Sequence, residues 1–177
     1  GVYSYTTFIT IPADSLHGLT QQKRLGTAPV KAKGHVLVCE YTAFADEFIQ
    51  AAPQYPELAA REIVIVSDLV QVQPYAQHHF VRGVPISPAA LRQASIGTAA
   101  YIFVFANIRF VDPDLKTLHV VARVRRLNPI AKIFVELNNP EHEFAAHLGA
   151  NTVVLPSRDL LGAVMRDGGV EIGRAHV

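Results

Sequence analysis

Two apolar blocks, Val36-Leu37-Val38-Cys39 and Ile63-Val64-Ile65-Val66, flank a helical segment at 43–52. Neither block alternates polar with apolar residues. A strand with one wet face alternates, whereas an unbroken, mostly β-branched run needs cover on both faces. Two such runs joined through a helix read as a βαβ unit with a right-handed crossover. The turn after the first run is Glu40-Tyr41-Thr42, and it contains no glycine. In units of this kind the turn commonly seats a pyrophosphate. Glycines there let backbone N–H groups approach the phosphates without a Cβ in the way.

The rest of the chain repeats the alternation. Residues 79–82, 100–106, 131–137 and 152–155 read as further strands. Ser87-Pro88 and Asp112-Pro113 each place a capping side chain before a proline at the first helical position. The second of these helices is expected to run to Leu127, with Leu115, Leu118, Val121 and Ala122 toward the core. Arg123, Arg125 and Arg126 favour its carboxyl end. A helix is expected over 140–148, stopped by Gly149, and a last one over 158–165 behind Ser157. The sum is α/β: a doubly wound, mainly parallel six-stranded sheet. Its expected limits are 35–166. Before it stands an arm, 1–34, helical over 14–23 and then a polar linker, 20–34, with four basic residues and no acid. Residues 167–177 have no hydrophobic pattern and are expected to be a tail foreign to the protein.

Composition removes several classes. Half of the 177 residues are hydrophobic and 18% are charged, which is unlike a disordered chain. A net charge of +1 gives no bulk attraction for nucleic acid. The single cysteine, Cys39, cannot build a disulfide framework and suits a reducing compartment. No apolar run reaches the roughly 20 residues that a bilayer-spanning helix needs.

Oxygen chemistry gathers at one edge. Glu40, Asp68, Asn107 and Glu136 each follow or end a strand, and the carboxyl ends of parallel strands share one edge. Asn138 lies two residues beyond Glu136, on the same strand face. Such groups suit Ca²⁺ or another divalent cation. Solvated loop acids and strand-end hydrogen-bond partners are the plainer alternative. Asp112 and Asp114 form a second acidic candidate, although Asp112 is also explained as a helix cap. For a nucleotide, Asp68 stands where a ribose-binding acid is expected, and Thr42 lies in the turn. Glu40, however, puts a carboxylate where phosphate oxygens would lie, which disfavours NAD and ATP. Catalysis has no support: the chain lacks GxSxG, a Walker loop and CxxC. His78 and His79 are adjacent on a strand and point to opposite faces.

Longer stretches carry a resemblance. GHVLVC (34–39), FVRGVPISPAALRQASI (80–96), ANIRFVDPDLKTLHVVARVRRLNP (106–129), the strand IFVELN and PEHEFAAHLGANTVVLP (140–156) together resemble an RCK domain. This is the TrkA-N-like cytosolic regulator of potassium channels and of Trk-type transporters. By position, that family's three glycines fall on Glu40, Thr42 and Ala45. TFITIPADSLHGLTQQK (7–23) is similar to the cytosolic end of the pore-lining helix of large-conductance calcium-activated potassium channels. The resemblance implies a non-catalytic gating domain at the cytoplasmic face of a prokaryotic plasma membrane. It implies pairing with other copies into a ring beneath a pore domain of the same polypeptide. The helix around Leu160, Leu161, Val164 and Met165 would begin the crossover to a dimer partner. The alternatives are a nucleotide-binding potassium-transport subunit, a structural RCK domain that binds nothing, and a Rossmann-type oxidoreductase without its substrate domain.

Overall fold

The structure is a computed structural model that describes residues 13–156; of 13–16 and 155–156 only the backbone is described. The expected 158–165 helix, the tail and residues 1–12 lie outside this range. Among the described residues six strands form one all-parallel sheet: β1 (Val36–Cys39), β2 (Ile63–Ser67), β3 (His79–Arg82), β4 (Tyr101–Val104), β5 (Lys132–Leu137) and β6 (Thr152–Pro156). Their order is β3-β2-β1-β4-β5-β6. The chain reverses direction across the sheet between β1 and β4, which pair Val36 with Tyr101 and Cys39 with Val104. Every residue of β1 and β2 is buried, as their unbroken apolar runs require.

The strand period of two sorts the core into two layers. Leu37, Val64, Val81, Ile102 and Ile133 face α4 (Pro88–Gln93) and α5 (Pro113–Leu127). Val38, Ile65, Phe80, Phe103 and Phe134 face α2 (Ala43–Ala51) and the short α3 (Pro56–Ala59). The second layer is aromatic: Phe48 lies 4.2 Å from Phe103, and Phe103 stacks on Phe134 at 4.9 Å between centroids. Ala45, Phe48 and Ile49, spaced i, i+3 and i+4, are the buried face of α2. Each large side chain so buried contributes roughly 1.5–3 kcal/mol.

The core stripe of α5 differs from the expected one. Thr117, Leu118, Val120, Val121 and Val124 are buried, whereas Leu115 and Ala122 are exposed. Thr117, Val120, Val121 and Val124 follow i, i+3, i+4, i+7, and this β-branched face wins the contact with β4 and β5. Over 140–148 the expected α-helix is a 3₁₀ helix, Glu143–His147, with no buried residue. Only Ala145 and Leu148 touch the core there, too little packing to offset the cost of nucleating a helix. Arg125 anchors β6 instead, donating to the Ala131 carbonyl at 2.7 Å and to the Asn151 carbonyl at 2.9 Å.

The arm's helix, α1, spans Ala13–Leu25, two residues past the expected end. Residues 26–34 then run as an ordered strap along the sheet. Gly26 has φ +73°, and its carbonyl accepts from Arg82 N at 3.0 Å and from Gln93 Nε2 at 3.1 Å. Val30 N donates to Gln93 O at 2.8 Å, and Thr98 Oγ1 donates to Ala32 O at 2.6 Å. The polar linker is therefore a bonded element, not a free tether. No helix among the described residues is long and apolar enough to cross a membrane.

Candidate functional site

Glu40 ends β1 with its own N–H bonded to the Val66 carbonyl at 2.9 Å. Its φ is +76°. A left-handed conformation costs a residue with a side chain roughly 1–2 kcal/mol, so the backbone here suits glycine and carries glutamate. The side chain is 3% exposed. Asn107 Nδ2 donates to Oε2 at 2.7 Å, and Ser67 Oγ donates to Oε1 at 3.2 Å. One carboxyl thus joins the ends of β1, β2 and β4. Burial pushes the Glu40 carboxyl above its ordinary range; the Asn107 bond pulls the other way, and the nearby Asp68 charge adds to the rise.

The other acids are held apart. Asp68 follows β2 and is exposed. Glu136, buried, accepts from Ala106 N at 2.7 Å and so ties β5 to β4. Asp114, buried on the first turn of α5, accepts from Asn138 N and Asn139 N, each at 2.8 Å. Asn138 thus contributes its backbone N–H to Asp114. Asp112 caps α5 through Leu115 N at 3.1 Å, and Thr42 caps α2 through Ala45 N at 3.1 Å. Of the expected oxygen groups, Glu40 and Asn107 meet, Asp68 stands beside them in solvent, and Glu136, Asp112 and Asp114 bind backbone amides. Among the described residues no group of three or more His, Cys, Asp or Glu side chains is placed to hold a metal ion.

A second cluster beside this turn gave no signal in the sequence. Tyr41 OH donates to Asp46 Oδ1 at 2.5 Å, and Tyr75 OH donates to the same oxygen. Gln50 Nε2 donates to Oδ2 at 2.8 Å. The two tyrosine rings meet edge to face at 6.4 Å. The cluster pins the β2–β3 loop over the first turn of α2. The two phenol donors hold the Asp46 carboxyl below its usual range, while desolvation and then Asp46 push the Tyr41 phenol up. The bond from Tyr75 to Asp46 spans 29 residues, so the cluster leaves no local pattern in the sequence.

A parallel sheet in this order, with a helix opening at its reversal point, defines the Rossmann class of dinucleotide-binding folds. In this chain the turn at that point carries Glu40, which accepts from Asn107 and Ser67. Residues 36–156 match the model of the TrkA-N domain, and the chain belongs to that family. It is 26% identical over 143 residues to the calcium-gated potassium channel TvoK of Thermoplasma volcanium, covering 78% of this chain and 40% of TvoK. The chain thus spans less than half the length of that relative. Among solved structures it is similar in fold to the GsuK channel, with TM-score 0.61 and 20% identity over 84% of this chain and 26% of that one. It is also similar to the TrkA-N domain of the Escherichia coli inner membrane protein YbaL, with TM-score 0.56 and 14% identity over 78% of this chain and 98% of that one.

Proposed function

We propose that this chain is a cytoplasmic regulatory domain of a ligand-gated potassium channel, and that the carboxyl edge of its sheet responds to a divalent cation rather than a dinucleotide. It does no catalytic chemistry. The observation that carries this reading is Glu40, a buried acid in a left-handed turn where a diphosphate would need glycine. Two like unit charges 4 Å apart repel by about 4 kcal/mol at an effective permittivity near 20. A pyrophosphate pressed against ionised Glu40 would lose roughly a thousandfold in affinity. The same charge attracts a cation, and exposed Asp68 adds a second carboxylate beside it. Water would supply much of the remaining coordination, as hard cations accept readily. TvoK is itself described as calcium-gated, which supports Ca²⁺ as the first ion to try.

Gating follows from differential affinity. A cation at Glu40 competes with Asn107 and Ser67 for the carboxyl oxygens, and so shifts the ends of β4 and β2 relative to β1. If two arrangements of a ring of such domains bind the ion unequally, the ion selects one. The strap at 26–34 carries that selection toward α1 and the pore domain expected ahead of it. Calcium titration followed by thermal unfolding tests this. The account expects Ca²⁺ to raise the midpoint, and Glu40→Gln with Asp68→Asn to remove the rise. A rise that survives in the double variant places the ion elsewhere.

A second reading, a force-transmitting domain without a ligand, is favoured by the double hydrogen bonding of Glu40 and the lack of a three-ligand group among the described residues. It expects no calcium-dependent rise at all.

A further inference from the structure

A groove of about 870 Å³ lies between α1, the strap and the start of β3. Two elements bring cations to it, Lys23 and Arg24 from the last turn of α1 and Lys31 from the strap, and His78 with His79 lines it at the entry to β3. No acid lines it. Among the described residues no carboxylate lies within 4.0 Å of the Lys23, Arg24 or Lys31 charges; Glu62 Oε2 nearby lies 3.5 Å from His79 Nε2. Helix position accounts for Lys23 and Arg24, but not for Lys31 or the histidines. The negative end of α1 is already covered: Gly26 N donates to Lys23 O, Thr27 N to Gln22 O and Gln73 N to Arg24 O. Those bonds weaken the opposition of the helix end to an anion. Val72, exposed, supplies apolar surface, and the volume lies in the range of sites for small organic ligands.

We propose that this groove binds a soluble polyphosphate-bearing anion of about nucleotide size, its phosphates held by Lys23, Arg24 and Lys31 and its body laid against Val72. The site is distinct from the Glu40 edge. Glu40 follows the carboxyl end of β1, whereas His79 opens β3, in register with the early β2 residue Val64. Charge–phosphate hydrogen bonds are strong, and the cations come from two elements, α1 and the strap. An occupant therefore cross-links α1 to the strap. Binding rests on the groove alone; its consequence for a pore rests on the function proposed above.

The test uses the 177-residue chain and sodium tripolyphosphate in EDTA, where no divalent cation contributes. Calorimetry is expected to show saturable binding that Lys31→Glu weakens about tenfold or more, with Lys31→Gln intermediate. Arg92→Glu, the same charge reversal outside the groove, and Glu40→Gln are expected to leave the affinity unchanged. No binding, equal loss in Lys31→Glu and Arg92→Glu, or a gain in Glu40→Gln, as relief of like-charge repulsion at that edge would give, overturns the assignment. Lipid headgroups offer the same chemistry, so cosedimentation with phosphatidylcholine vesicles, with and without phosphatidylinositol bisphosphate, is the second arm. Vesicle binding without tripolyphosphate binding overturns a soluble ligand; tripolyphosphate binding supports it whether or not vesicles also bind. Failure here leaves the cation reading standing, because that reading turns on Glu40 and Asp68.

Discussion

Asn107 donates its side-chain amide to Glu40 Oε2 at 2.7 Å, bridging the carboxyl ends of β4 and β1 where a Rossmann sheet keeps its ligand cleft. The same Asn107 accepts from Arg109 N at 3.0 Å through Oδ1, which fixes its amide orientation. Removing it leaves a buried carboxyl with only the longer Ser67 bond. Asn107→Ala is expected to destabilise the domain by about 1.5–3 kcal/mol, the range for hydrogen bonds to charged groups. Urea unfolding measures it, and a change below about half a kcal/mol would show that water replaces the amide at no cost.

The Glu40 carboxyl sets a pH dependence with a definite sign. Its folded pKa is raised, so the folded state holds its proton more tightly than the unfolded chain does. Between the unfolded value and the higher folded value, stability falls as pH rises. The penalty is complete above the folded pKa and absent below the unfolded one. Glu40→Gln carries no such proton. The Gln variant is therefore expected to gain on the parent as pH rises through that window, and to lose the advantage on acidification. Thermal midpoints of both proteins across weakly acidic to neutral pH measure it; a constant difference would mean that Glu40 does not titrate there.

The Asp46 cluster holds the β2–β3 loop. Tyr75→Phe removes a donor that spans 29 residues of sequence, yet leaves the ring contact with Tyr41. Amide exchange in 70–77 is expected to quicken while exchange in β1 and β2 stays slow. Asp46→Asn is expected to bring Tyr41 ionisation back toward the ordinary phenol range, read by ultraviolet titration. Unchanged loop exchange in Tyr75→Phe would show that the loop is held by packing alone.

Gly26 controls the strap. A Cβ there would come within 2.5 Å of Arg82 N, at φ +73°. Gly26→Ala is expected to cost about 1–3 kcal/mol and to break the Arg82 and Gln93 bonds to its carbonyl. Limited proteolysis at Lys31 and Lys33 then quickens relative to the parent. Protection equal to the parent's would mean that the other strap bonds suffice.

What the sequence made legible was periodic or local. β1 and β2 show as unbroken runs, and the caps at Ser87 and Asp112 bond amides three residues on. The Glu40 turn was legible by the glycine it lacks. The stripe of α5 was misread because Leu115 and Ala122 satisfy a helical period that tertiary contact turns away from the core. The roles of Glu136 and Asp114 were hidden for a different reason. Their partners are backbone amides 24 to 30 residues away, and an amide carries no letter in a sequence. The Tyr41–Asp46–Tyr75 cluster and the strap bonds depend on the same long-range closure.

Calorimetric titration of NAD⁺ into the unmodified chain, repeated with Ca²⁺, reads the central claim most directly. The account predicts no saturable heat with NAD⁺, and a saturable calcium signal that Glu40→Gln with Asp68→Asn abolishes. Saturable NAD⁺ binding that perturbs the Thr42 amide, with no response to Ca²⁺, would contradict it.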